Sequence, residues 1–113
     1  NIFYRPWGKY INLFSGKDFL VKELTINGRS SISLQKHNHR SEHWTITSGK
    51  PKITVNKRKF YKKVNDTVFI NQGAIHRIEN PFKKPVKIME VQLGSILKET
   101  DIIRFKDIYG RAS

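Results

Sequence analysis

The chain has 113 residues, no cysteine, and 22 lysines and arginines against 9 aspartates and glutamates, for a formal net charge of +13 at pH 7. That length allows one domain with a single core; the lack of cysteine excludes disulfides and thiolate-bound metal and makes the reducing cytoplasm the default compartment; and no apolar run approaches the roughly 20 residues of a membrane span. The charge is dispersed, as in Lys57-Arg58-Lys59, Lys62-Lys63 and Lys83-Lys84, with no arginine-rich arm or reading helix, so no nucleic-acid partner is expected and a phosphorylated small molecule suits it better.

Nothing at the start resembles a signal peptide, and a first residue of Asn1 suggests a piece of a longer polypeptide. The head, Tyr4-Arg5-Pro6-Trp7-Gly8, carries proline and two aromatics too early for a central strand, and residues 1–18 read as a lid or plug. Short apolar runs then recur about every ten residues with no sustained helical period. Strands are predicted over 19–26, 31–37, 43–48, 52–55, 58–61, 67–70, 77–79 and 86–93. Turns fall at Asn27-Gly28, Ser48-Gly49, Asn56-Lys57, Asn71-Gln72-Gly73 and Asn80-Pro81, where the residues tolerate tight or left-handed backbone. Eight short strands in one all-β domain imply a sandwich or a jelly-roll β-barrel over 19–98. The extension 99–113 reads as a final strand leading into a short helical turn, and its apolar Ile102, Ile103 and Phe105 offer a pairing surface for a homodimer.

Two stretches carry candidate chemistry. One runs Gly28-x6-Gln35-x-His37-x4-Glu42-x6-Gly49; the other runs Gly73-x2-His76-x3-Asn80. Alternate strand residues share a face, so Gln35 and His37 project together, and Glu42 shares the face of Trp44 and Ile46. A carboxylate aimed into a barrel needs a cation. An amide oxygen, two imidazoles and a carboxylate form a ligand set for a divalent ion, zinc foremost, with manganese, cobalt or iron as alternatives. His39 shares the parity of His37 and competes for a ligand position, but the count to Gly49 favours Gln35 with His37 and leaves His39 as a substrate contact. His43 has the opposite parity to Glu42 and faces away. Lys22 alternates with Leu20, Leu24 and Ile26 and is a candidate phosphate ligand or base, unless the strand faces the other way. Arg40 is expected at the cavity mouth, where a guanidinium could take a phosphate bidentately, and Arg77 has weaker claims.

These stretches resemble the two motifs of the cupin superfamily, with Gln35 in place of the first histidine, one residue added after Gly28, and Asn65 and Asn71 in place of a glycine and a proline. The departures point to a narrower group. The run 33–44 around Gln35-Lys36-His37, with Arg5-Pro6-Trp7-Gly8, His76 to Pro81, Glu90-Val91-Gln92 and Tyr109-Gly110-Arg111, is similar to the type II mannose-6-phosphate isomerase domain. That resemblance implies a cupin jelly roll and metal ligation by Gln35, His37, Glu42 and His76. It also implies interconversion of mannose 6-phosphate and fructose 6-phosphate through an enediol. In such proteins the domain often follows a mannose-1-phosphate guanylyltransferase. Lys22 and a metal-held carboxylate or water are the candidate bases, and Arg40, with Lys22 and His39, the candidate substrate contacts. A non-catalytic sugar-phosphate or nucleotide-sugar binder and a dimerisation module are the rival readings.

Overall fold

The computed structural model describes residues 1–98 and 100–106, and its regular structure is entirely β. Among these described residues, eleven strands run β1 (Ile2–Arg5), β2 (Gly8–Gly16), β3 (Phe19–Ile26), β4 (Leu34–Lys36), β5 (Ser41–Ser48), β6 (Lys52–Val55), β7 (Arg58–Tyr61), β8 (Thr67–Ile70), β9 (His76–Glu79), β10 (Val86–Leu93) and β11 (Ile103–Lys106). They form two antiparallel sheets, ordered β1-β2-β3-β10-β5-β8 and β11-β4-β9-β6-β7. The all-β barrel is thus as expected.

The interior is graded along its axis, and the register explains why. On β10 the alternate residues Val86, Ile88, Glu90 and Gln92 are all buried. Val86 sits opposite Ile26, and Ile88 opposite both Leu24 and Ile46, so one end is apolar. Two residues further on, Glu90 faces Lys22 on one side and Trp44 on the other, and Gln92 faces Glu42. The same period-2 rule that buries the isoleucines therefore buries the charged groups. Ile26, Ile53, Val86 and Ile88 lose all exposure and seal the apolar end.

Turn chemistry holds the strands in register. Asn56 and Asn65 adopt φ of 54° and 79°, the left-handed region asparagine tolerates. Gly49 has φ of 81°, and a Cβ there would lie 2.8 Å from the Pro85 carbonyl oxygen, so both backbone and space require glycine. Asn80 is buried, and its Nδ2 donates to the carbonyls of Ile26 (3.1 Å), Asn27 (3.2 Å) and Lys84 (2.8 Å). It ties the ends of β3 and β9 to the following turn.

The head, read from sequence as a lid or plug against the barrel, is itself strand over much of its length: β1 and β2 pair with each other and β2 pairs with β3, extending the larger sheet. Pro6 sits between them, where no ladder donor is needed. Two of its side chains, Trp7 and Tyr10, do pack into the core. The segment 31–37 is strand only over Leu34–Lys36, with a single bridge from Ser31 to Glu79. A final strand exists as β11; the helical turn expected after it lies outside the described residues.

Candidate metal centre and substrate cavity

Gln35 on β4 is the register partner of His76 on β9, which brings two candidate ligands from distant parts of the chain side by side. His37 follows β4, and Glu42 enters from β5 in the opposite sheet. The three ligand atoms of His37, Glu42 and His76 lie within 4.8 Å of one another, and all three residues are buried. Gln35 is buried beside them in the same cavity. Its Nε2 donates to the Ser33 carbonyl at 3.2 Å, leaving the amide oxygen as the end suited to a cation.

Both imidazoles have one nitrogen committed to the backbone. His37 Nδ1–H donates to the Asp101 carbonyl at 2.6 Å, and His76 Nδ1–H to that of Ala74 at 3.0 Å. A carbonyl only accepts, so each ring carries a proton on Nδ1, and Nε2 is the nitrogen available to the site. Burial pulls His37 down to about 4, with Arg40 and His76 adding to the effect against Glu42 and the Asp101 carbonyl, so the ring is neutral near pH 7. Its 3.3 Å approach to Glu42 is therefore not an ion pair at that pH. Burial would raise Glu42, but His76, Arg40, His37 and the Trp44 hydrogen bond outweigh it and hold the carboxyl at about 2. Trp44 Nε1 donates to Glu42 Oε1 at 2.9 Å.

Two imidazoles, an ionised carboxylate and an amide oxygen lining one buried cavity fit a divalent ion. The pairing of both Nδ1 atoms is the observation that decides the fit, because it leaves Nε2 of each ring as the nitrogen turned to the site.

The family model described as "Mannose-6-phosphate isomerase C-terminal" matches residues 1–107. The chain belongs to this family. Its relatives include the alginate biosynthesis protein AlgA of Pseudomonas putida, 46% identical over 97% of the chain and 23% of that protein. Another is the mannose-1-phosphate guanylyltransferase ManC of Salmonella typhimurium, 42% identical over 96% of the chain and 22% of that protein. The chain thus spans under a quarter of the length of these relatives. Among solved structures, the cupin domain of Schizosaccharomyces pombe Cnp3 superposes with a TM-score of 0.73 at 21% identity, over 76% of this chain and 64% of that one. It supports the cupin fold alone.

Within this member of the mannose-6-phosphate isomerase C-terminal family, the other expected site residues divide. Lys22 is buried, lines the cavity, and places Nζ 4.2 Å from the centre of the Tyr10 ring. Arg40 is not at the mouth. It is buried, with Nε donating to Glu42 Oε2 and an Nη to His37 Nε2, both at 2.9 Å, because a buried carboxylate two residues along draws the guanidinium inward. His39 lies outside the cavity lining; its side chain is 52% exposed and pairs with Asp101 at 3.0 Å. His43 is exposed, as its parity requires. Arg77 lines the cavity despite its parity, as do Arg5 and, from the C-terminal segment, Ile102 and Arg104.

Glu90, which carries no motif signal of its own, is a buried carboxyl on the cavity wall. Burial raises it to about 8; Glu42 adds to the rise, while Lys22, the 2.6 Å hydrogen bond from Gln92 and Arg40 oppose it. The alternation Val86, Ile88, Glu90, Gln92 was the available signal.

Proposed function

We propose that this domain interconverts mannose 6-phosphate and fructose 6-phosphate with a divalent ion held by Gln35, His37, Glu42 and His76. One observation carries the reading: the ligand cluster shares its cavity with Glu90, a buried carboxyl whose proton affinity is matched to neutral pH. The bound ion would supply Lewis acidity to the sugar oxygens. Glu90, as carboxylate, takes the proton from C2 of the open-chain aldose and returns it to C1, while a hydroxyl proton passes from O2 to O1, so the ketose forms with no net gain or loss of atoms. Lys22, its partner across the β3–β10 ladder, stabilises the carboxylate form. Family membership and an excess of basic groups around the cavity support a phosphorylated sugar as substrate.

The phosphate falls to two arginines of the cavity lining. Arg77 and Arg104 each have a buried Nε with no partner among the described residues, so an anion there would satisfy both. Arg40 must leave Glu42 and His37 when an ion takes those atoms, and it then serves the substrate oxygens. Incubating the chain with mannose 6-phosphate and zinc, manganese or cobalt tests the reading: fructose 6-phosphate should accumulate, and its absence with all three metals would overturn isomerase activity for this chain. The Arg40–Glu42 pair favours one alternative, a sugar-phosphate binder whose internal cation is Arg40. Calorimetric binding without product would select it.

A further inference from the structure

Asp101 lies 64 residues from His37 in sequence and makes four hydrogen bonds to three successive residues around it. Its carboxylate accepts the backbone N–H of Asn38 at 3.1 Å and of His39 at 2.9 Å, together with His39 Nδ1 at 3.0 Å. Its own carbonyl accepts His37 Nδ1–H at 2.6 Å. The next residue, Ile102, lines the cavity, and β11 then pairs with β4, setting Arg104 opposite Gln35. A surface ion pair with His39 would account for only one of these bonds.

We propose that Asp101 is a positioning residue: its carboxylate seats the C-terminal segment on the 37–39 loop, so that its carbonyl holds His37 with the proton on Nδ1 and Nε2 turned to the ligand cluster. The proposal rests on the metal-site reading above. An internal contrast supports it. His76 is oriented by Ala74, two residues away, so its tautomer is set within its own stretch of chain. His37 takes its Nδ1 acceptor from a remote carbonyl, and the Arg40 guanidinium that donates to its Nε2 favours the same tautomer only until an ion displaces it. An imidazole with no acceptor at Nδ1 can carry its proton on either nitrogen, and protonation at Nε2 blocks ligation there. The completeness of one ligand therefore depends on whether the C-terminal segment is in place, and the same docking brings Arg104 and Ile102 to the cavity wall. The isolated barrel should accordingly be a poorer metal binder than the chain that retains 100–106.

The test compares wild type with Asp101→Ala and Asp101→Asn by long-range 1H–15N spectra of the imidazoles in metal-free protein, followed by zinc affinity in competition with a chelator. In wild type both histidines should show the Nδ1–H pattern. Asp101→Ala should lose it at His37 once Arg40→Met has removed the donor to Nε2, keep it at His76, and, with Arg40 in place or not, bind zinc about 10 to 100 times more weakly, the usual cost of losing a group that orients a ligand. Asp101→Asn keeps the shape and one acceptor oxygen, so it should fall between and guards against a folding defect. An unchanged His37 tautomer with zinc affinity within twofold of wild type would overturn the proposal. So would equal changes at His37 and His76, which mark general loosening. A wild-type protein that takes up no zinc would refute the metal reading, while the metal-free spectra would still decide whether Asp101 orients His37.

Discussion

Replacing Glu90 by glutamine keeps the size and hydrogen-bonding shape of the side chain and removes its titration, which makes the energetic consequence of its burial measurable. A free glutamate carboxyl titrates at 4.5, and in the fold burial beside Glu42 raises this one to about 8 against the pull of Lys22, Gln92 and Arg40. Below about 4.5 both folded and unfolded chains hold the proton, and nothing is lost. Between 4.5 and 8 the folded chain binds the extra proton, so stability falls as pH rises; above 8 both have released it and the slope ends. At about 1.4 kcal/mol per pH unit the full loss is roughly 5 kcal/mol. His37 acts in the opposite sense over a lower window: its value of about 4 against 6.5 means its contribution grows as pH rises from 4 to 6.5. The two trends offset each other below 6.5, which leaves the Glu90 decline uncompensated from 6.5 to 8. Urea unfolding of metal-free wild type and Glu90→Gln at half-unit intervals from pH 5 to 9 isolates the effect by difference. The variant should gain steadily on wild type up to pH 8 and then hold a constant lead. A difference that does not vary with pH would refute the reasoning.

Arg40→Met removes the guanidinium that neutralises Glu42, so the metal-free variant should be less stable by about 3–5 kcal/mol, the cost of orphaning a buried charge. Zinc should restore more stability to it than to wild type, because Glu42 and His37 are no longer contested; equal stabilisation of both proteins in thermal melts would contradict this. Asn80→Ala leaves three carbonyls without their shared donor, and chemical denaturation should register a loss of roughly 2–4 kcal/mol with zinc affinity unchanged.

β3, β8 and β10 occupy the predicted spans because alternation with a buried face and flanking turn residues coincide there, whereas β6 and β7 occupy theirs because turn residues bound them. β1 and β2 were obscured for a physical reason. Leu13 and Phe14 are exposed, a bulge between Asn12 and Phe14 breaks the period of two, and Pro6 punctuates the turn between the strands. At the site, the chain's own alternation points Gln35 and Glu42 inward, and the structure buries both together with Lys22, whose facing the sequence left open. Alternation did not suffice for Arg40, whose long side chain folds back upon Glu42, nor for His39, which points with its loop toward Asp101. Glu90 obeys parity, but its significance arises from Lys22 and Glu42 on the neighbouring strands, and that register is a property of the assembled sheet. Asp101 leaves no local trace, because its partners lie more than sixty residues away.

The electrostatics of the cavity lead to a prediction about the complex. Among the described residues, five basic side chains, Arg5, Lys22, Arg40, Arg77 and Arg104, line it together with two carboxyls, Glu42 and Glu90. A sugar phosphate brings up to two negative charges into that space and expels water, and both effects favour the protonated form of Glu90. If Glu90 acts as the carboxylate base, turnover should rise with pH through its titration. The midpoint in kcat, which reports the complex, should then lie above the midpoint in kcat/KM, which reports the free enzyme. Because both profiles come from the same metal-loaded protein, the charge of the ion is common to them and does not enter the difference. Glu90→Gln should abolish the rising limb in both. Coincident midpoints, or a kcat midpoint displaced to lower pH, would mean that the phosphate is bound too far from Glu90 to be felt, or that another group carries the proton.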